Sequence, residues 1–342
     1  MQYLPLGQTG LTVSEVGFGG IPIIRLSSDD AQRVVRRAFD RGMTFFDTAN
    51  AYHDSEDKIG RALEGHRDEV VLASKTMRRT PAEALEQLEQ SLRMLRTDHL
   101  DLYQPHQVSQ EADWEALTRP GGIADTLLAA KEQGKIRVLG VTSHSLDMAL
   151  RLVESGLFGT IQFPFNFIET DAAERLHPAA RERGLGIVVM KPFAGGVITS
   201  ADQAFRFLRQ YPDAIPIPGL DSVAGVDEVT GFYGQPNQVS ESDRAEWARV
   251  AAEVGSEFCR RCEYCQPCPN GVLITTAMGY PIVASRMSHE VAVNFARRAM
   301  DTVPECVACG DCLPRCPYEL AIPDIMQRNY ALYQEHCAQV GG

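Results

Sequence analysis

The sequence predicts an α/β chain: a (β/α)8 TIM barrel over residues 1–237, then a small, mostly α-helical domain over residues 238–342 built around cysteines. Three observations lead there. Eight short apolar runs alternate with segments of helical period over about 220 residues, the usual span of such a barrel. Asp47, Lys75, His106 and Thr142 each follow one of those runs, where a barrel presents its working loops. None of the nine cysteines precedes Cys259, and eight fall between Cys259 and Cys316.

In chain order, the first ten residues read as a turn-rich leader, with Gly7 and Gly10 as turn residues. Val13 to Phe18 is the first strand expected, ending in Gly19-Gly20. Ser28 reads as a helix N-cap, because Ala31, Val34, Val35, Ala38 and Phe39 recur behind it at helical spacing. Gly42 suits the end of that helix, and Met43 to Phe46 follows at once as a strand. A strand, a helix and a strand on short connections form a βαβ unit, and the unit repeats.

Glu69 to Lys75 is the third strand, and Thr80-Pro81-Ala82-Glu83 reads as a capping box with Pro at the first helical position. Leu85, Leu88, Leu92 and Leu95 line the helix behind it, and Leu100 to Tyr103 is the fourth strand, closed by Pro105-His106. Helices through Leu127–Glu132, Met148–Val153 and Ala173–Arg183 separate strands at Ile136–Val141, Ile161–Phe163 and Leu185–Met190. Ser200 caps a further helix, and Ala214 to Ile217 is the eighth strand. An open doubly wound sheet is the alternative, but its strand, G-x-G-x-x-G and helix are not seen. Ser240 to Glu257 reads as a helix leading away from the barrel. The second domain adds a helical insert around Ser288–Met300 and a tail helix near Met326–Cys337.

Lys and Arg number 33 against 45 Asp and Glu, a net charge of -12. That field repels nucleic acid and anionic membranes, so neither is expected as a partner. There is no apolar run of membrane-spanning length. The start of the chain lacks the basic and apolar segments of a secretory signal, and a cytoplasmic location is expected.

The stretch from Phe45 to Tyr52 carries an acid, Asp47, and a phenol, Tyr52, five residues apart. Reducing a carbonyl by hydride puts negative charge on oxygen, so a proton must arrive in step. A phenol is a weak acid at pKa ~10, and a neighbouring ammonium such as Lys75 favours its anion. Asp47 would hold that lysine, and His106 would orient or polarise the carbonyl oxygen. One Tyr after one Asp is common as packing; four such residues at successive strand ends are not.

The set Asp47, Tyr52, Lys75 and His106 resembles the catalytic tetrad of the aldo-keto reductases. The surroundings agree: Leu6-Gly7-Gln8-Thr9-Gly10-Leu11 with Val13-Ser14, Asp47-Thr48-Ala49 with Glu56, and Ile215-Pro216-Ile217-Pro218-Gly219. The resemblance spans roughly residues 1–235 and implies a barrel that binds a nicotinamide cofactor without a Rossmann fold. It implies that Thr142 and Ser143 replace a Ser-Asn pair holding the nicotinamide amide, with Gln162 beside them. Met190 would stand where the family stacks an aromatic on the ring, or would simply pack the barrel end; both readings stand. Gly219 and Ser222 belong to the expected phosphate loop, and Glu228 matches an acid that contacts adenine. Two positions that are basic in NADP-dependent members read Asp221 and Gly225, which implies NAD(H) in preference to NADP(H).

In a reducing compartment, clustered cysteines point to metal rather than disulfides. Cys259, Cys262, Cys265 and Cys268-Pro269 follow C-x2-C-x2-C-x2-C-P; Cys306, Cys309, Cys312 and Cys316-Pro317 follow C-x2-C-x2-C-x3-C-P. The second is the bacterial-ferredoxin run for a [4Fe–4S] cluster, and the first differs by one residue in its last gap. Zinc, the alternative, uses two separated C-x2-C pairs. Two [4Fe–4S] clusters are expected. In two-cluster ferredoxins the Cys before Pro ligates the other cluster, which assigns Cys316 to the first three thiols and Cys268 to the second three. The module resembles ferredoxin domains with a helical insert, and behind a barrel it is similar to an iron–sulfur subgroup of the aldo-keto reductases. Cys337 stands apart.

Two functions of different class remain. One is an oxidoreductase interconverting a small carbonyl and an alcohol, with clusters that serve a redox partner protein or hold structure. The other is a barrel that senses a ligand or cofactor, with the clusters as redox sensor or electron carrier.

Overall fold

The computed structural model describes residues 1–255, 257–285 and 287–341. Strands β1 (Tyr3–Pro5) and β2 (Thr12–Ser14) pair antiparallel as a hairpin, which corrects the reading of the leader as plain turn. Val13 to Phe18 is not one strand either. It breaks after Ser14, whose hydroxyl donates to the Val16 carbonyl at 2.7 Å. The barrel begins at β3 (Phe18–Gly19).

The remaining strands are β4 (Phe45–Asp47), β5 (Val71–Thr76), β6 (Leu100–Pro105), β7 (Ile136–Thr142), β8 (Thr160–Pro164), β9 (Gly186–Met190) and β10 (Ala214–Pro216). Each pairs in parallel with the next in chain order. The sheet closes on itself where the Gly17 N–H donates to Pro216 O at 2.9 Å and the Gly19 N–H to Pro218 O at 2.8 Å. Only glycine allows that approach at Gly19, since a Cβ there would lie 2.7 Å from Ile217 O. Leu6, Leu11 and Val13 of the hairpin share one buried cluster with Val71, Leu102, Val188 and Ile215. The Gln8 N–H donates to Gly184 O, two residues before β9. The hairpin therefore plugs the N-terminal end of the barrel and leaves the C-terminal end for a site.

Around the barrel run α1 (Ser28–Asp40), α2 (Ser55–Ala62), α3 (Pro81–Met94), α4 (Glu111–Thr118), α5 (Ile123–Glu132), α6 (Leu146–Glu154), α7 (Leu176–Glu182), α8 (Ala201–Leu208) and α9 (Val223–Phe232). The cap of α1 is Ser27 rather than Ser28, accepting from the Asp30 N–H at 3.1 Å. Thr80 precedes α3 as expected, but its hydroxyl goes to the Glu83 carboxylate and no backbone N–H is capped by it. The helix expected at Ala173–Arg183 is a 3₁₀ turn, Asp171–Ala173, followed by α7. Helix α2 has no apolar stripe to announce it, because it buries Glu56 and Lys58; the Lys58 ammonium donates to Ile23 O at 3.0 Å and Leu26 O at 2.9 Å.

Residues 1–194 with 198–243 form one compact unit, and 195–197 with 244–342 a second. Helix α10 (Glu241–Gly255) starts in the first, where the Gln203 amide donates to Asp243 at 3.0 Å. The second unit carries α11 (Ile274–Met278), α12 (Tyr280–Ala284), α13 (His289–Met300) and α14 (Ile322–Val340). Its core joins Val272, Ile274, Tyr280, Val293 and Ile322 to the thiols of Cys265 and Cys312. The Asn329 amide donates to the Ala277 and Met278 carbonyls at 3.0 and 3.1 Å, tying α14 to the end of α11. Among the described residues no helix is long and apolar enough to cross a membrane.

Candidate active site and candidate metal centre

Side chains alternate along a strand, so the residues two beyond Phe45 and Ala73, which belong to the interior cluster, also face inward. Those residues are Asp47 and Lys75. The Lys75 ammonium, fully buried, donates to Asp47 Oδ1 at 2.6 Å and to Thr48 O at 2.7 Å. Burial pushes the Asp47 carboxyl up, and Lys75, Gln162 and Gln104 pull it back.

Tyr52 lies in the turn that opens α2, held by Tyr52 N–H to Ala49 O and Ser55 N–H to Tyr52 O, both 2.9 Å. The Lys75 ammonium stands 5.3 Å from the centre of the Tyr52 ring. His106 meets the same ring at 5.8 Å and 79°, edge to face. Its own backbone is fixed by Thr76 O, 2.8 Å from the His106 N–H, and by the Arg79 guanidinium, 2.7 Å from His106 O. All four residues of the expected tetrad thus gather at the C-terminal end of the barrel. His53 and Gln107, which follow Tyr52 and His106, have φ of 45° and 57°, a conformation that costs energy in a non-glycine residue.

Two further buried groups escaped the sequence reading as members of the site. Gln104, two residues beyond Leu102 on the interior face, donates to Gln162 Oε1 at 3.0 Å and reaches Asp47 Oδ2 at 3.5 Å. Its own Oε1 is buried without a hydrogen-bond partner. Strand alternation was the signal that could have found it. Glu56 accepts from the Ser74 hydroxyl at 2.5 Å and from the Asn50 amide at 3.4 Å, and burial pushes its carboxyl up.

Of the expected cofactor residues, Thr142 and Ser143 are fully buried beside this group. Thr142 Oγ1 accepts from the Gln107 N–H at 2.7 Å and keeps its own proton to donate. The Ser143 N–H donates to Gln162 O at 3.2 Å, and its hydroxyl to Ser145 O at 3.1 Å. Met190 ends β9, half-buried against the interior cluster, a position compatible with either reading of it. Gly219 bridges to Gly19 and has Pro22 so near that a Cβ would lie 2.6 Å from it. Ser222 caps α9 by accepting from the Gly225 N–H at 3.1 Å, and Glu228 is exposed on that helix. Asp221 is ion-paired to Arg25, which ends a 3₁₀ turn after β3. The amide and hydroxyl groups of Thr142, Gln162 and Gln104 are of the kind that hold a carboxamide. His144 is buried, its N–H donating to Ser109 Oγ at 3.1 Å, while His53 is exposed.

In the second unit Cys259, Cys262, Cys265 and Cys316 line one cavity. Burial, and after it the neighbouring Cys259 and Cys316 thiols, push Cys262 up to about 11. Burial with Cys259, Cys262 and Cys316 pushes Cys265 up to about 12. Cys312 is pushed up by burial and by Cys306, Cys309 and Cys268. Each Cys-Pro cysteine therefore keeps company with the thiols of the opposite run. Among the described residues no three His, Cys, Asp or Glu converge as ligands of a single ion would. Four thiols around one cavity are of the kind that hold a multi-iron cluster. Arg261, Glu263, Ala308 and Gly310, set between the cysteines, have φ of 61°, 68°, 52° and 83°. Such left-handed residues belong to the backbone nests that present N–H groups to iron–sulfur sites. Cys337 is on α14, packed against the same apolar core.

The Aldo/keto reductase family model matches residues 15–209, and the model of a 4Fe-4S dicluster domain matches residues 258–321. The chain is similar to "Aldo-keto reductase YhdN" of Bacillus subtilis (strain 168), 30% identical over 219 residues, covering 58% of this chain and 64% of that protein. It is also similar to "Uncharacterized oxidoreductase YrpG" of the same organism, 31% identical over 228 residues, covering 58% and 68%. With "L-galactose dehydrogenase" of Arabidopsis thaliana it shares 28% identity over 216 residues, 57% of this chain and 66% of that one. The matched part thus spans about two-thirds of the length of these relatives. Among solved structures, "aldo-keto reductase AKR11C1 from Bacillus halodurans (holo form)" superposes with a TM-score of 0.64 at 21% identity, covering 73% of this chain and 96% of that one. That likeness bears on the fold alone.

Proposed function

This chain belongs to the aldo/keto reductase family, with a 4Fe-4S dicluster domain behind the barrel, and we propose that it interconverts a small carbonyl compound and its alcohol with a nicotinamide cofactor. The observation that carries the reading is the buried Lys75–Asp47 pair, 2.6 Å long, beneath the Tyr52 ring with His106 at its edge. When bound, the nicotinamide would supply or accept the hydride. Thr142, Ser143, Gln162 and Met190 would hold its ring end, and Gly219, Ser222 and Glu228 its phosphate and adenine end. Tyr52 gives a proton from its hydroxyl to the carbonyl oxygen. Two of the three Lys75 ammonium hydrogens are committed to Asp47 and Thr48, and the third, with the positive charge, favours the developing phenolate. Asp47 keeps the ammonium in place, and His106 orients the oxygen. A substitution tests this. Tyr52→Phe keeps the ring and removes the acid, so carbonyl reduction should fall by about 10²–10⁴ while cofactor affinity stays. Turnover near that of the parent protein would end the proposal.

The barrel is taken as residues 1–237 and the cluster domain as 238–342. NAD(H) would be the preferred cofactor, since Asp221 and Gly225 stand at the two positions where a 2′-phosphate would need cations, and Arg25 beside them already faces Asp221. Two [4Fe–4S] clusters would be held by Cys259, Cys262, Cys265 and Cys316, and by Cys306, Cys309, Cys312 and Cys268. No flavin motif is present to split a hydride pair into single electrons, so the clusters would serve a redox partner protein or hold structure.

A further inference from the structure

The two thiol sets have different surroundings. The cavity of Cys259, Cys262, Cys265 and Cys316 is walled by apolar Ile274, Met278 and Leu320 and carries two charged residues, Arg260 and Glu263. The Arg260 guanidinium sits over the Tyr318 ring, 3.8 Å from its centre, and Tyr318 belongs to the same wall. Glu263 Oε1 lies 3.4 Å from the Thr275 hydroxyl that donates to it. Around the other set, Cys309 is exposed, as are Val307 at 69% and Leu313 at 41%. The arginine of that run, Arg315, is turned to the Pro267 carbonyl at 3.2 and 3.3 Å. The first set has no exposed thiol and carries a cation and an anion in its wall; the second opens to water at Cys309.

We propose that Arg260 and Glu263 set the reduction potential of the cluster on Cys259, Cys262, Cys265 and Cys316, Arg260 raising it and Glu263 lowering it. This rests on the reading that the eight thiols hold two [4Fe–4S] clusters. Reduction adds one electron, and so one negative charge, to the cluster, taken from a one-electron donor that is oxidised in the same step. A fixed cation in the wall stabilises the reduced form and a fixed anion opposes it. Half-buried against apolar neighbours, both charges are less screened than they would be in open water, whereas water beside the exposed Cys309 weakens any such control over the second cluster. Charge and solvent exposure are known levers on cluster potential.

The test is a redox titration of the anaerobically isolated full chain with dithionite, followed by electron paramagnetic resonance, after iron and sulfide have been measured. Arg260→Gln should lower the transition that Cys316→Ser perturbs. At the parent midpoint its ratio of reduced to oxidised cluster should fall on the order of tenfold. Glu263→Gln should move the same transition upward, Arg260→Lys should stay near the parent value, and the other transition should stay fixed throughout. With iron fully loaded, unmoved midpoints, equal movement of both transitions, or shifts of one sign in both neutral variants would overturn the proposal. A parent chain without iron would refute the cluster reading itself. Should Arg260→Gln not take up iron, the direction of the Glu263→Gln shift decides.

Discussion

Single residues set the chemistry of the barrel mouth by which of them face one another. Asp47, Lys75 and His106 were legible because each follows an apolar run, and Tyr52 because it stands five residues past Asp47. Gln104 was not, since a glutamine within a strand is ordinary until the inward face of that strand is known. The pairing of Arg25 with Asp221 was illegible for another reason: the partners stand 196 positions apart. That pair changes the view of the adenosine loop. On the proposed reading, Asp221 would act less by repelling a 2′-phosphate than by occupying Arg25, an arginine within reach of that loop. Asp221→Asn should therefore raise NADPH affinity relative to NADH, by several-fold to about tenfold given an exposed, screened pair. Parallel fluorescence titrations with both cofactors check it, and an unchanged ratio would place the 2′-position elsewhere.

At the level of elements, seven of the eight barrel strands were readable from compact runs of β-branched and apolar residues bounded by glycine or polar residues, while the first, expected over Val13 to Phe18, is only Phe18–Gly19. The β1–β2 hairpin was not, because three-residue strands carry almost no periodic signal. Nor was α2, whose inward face holds Glu56 and Lys58 in place of an apolar stripe. Helix α7 hides a similar exception in His177, buried against Phe165 with neither ring nitrogen hydrogen-bonded. Burial, and after it Arg181, lowers its pKa to about 4, with Asp213 opposing. The unfolded chain takes up the proton near pH ~6.5 and the folded chain only near 4. Stability present above ~6.5 is thus lost as pH falls towards 4, by about 3 kcal/mol from this residue. Denaturant unfolding of His177→Phe across that range should show a shallower loss; an identical slope would remove His177 from the acid response.

At the scale of the whole molecule, the cysteine spacing announced the second unit long before its helices could be drawn. The insert at α13 and the tail at α14 were legible from their period, whereas α11 and α12 are too short to show one. Cross-ligation, as proposed, would make both runs of thiols necessary to each cluster. Anaerobically isolated protein should contain about eight irons per chain. Cys316→Ser should perturb the spectrum of the cluster on Cys259, Cys262 and Cys265 and spare the other. Loss of the other cluster alone would show that each run ligates its own. The central claim, however, concerns the barrel, and one measurement meets it most directly. The anaerobically purified full chain, clusters in place, is mixed with NADH and a panel of aldehydes and ketones. The account predicts that with at least one of them NADH is consumed one-to-one with alcohol formed. Tight NADH binding with no alcohol from any carbonyl, and no oxidation of any alcohol in reverse, would contradict it.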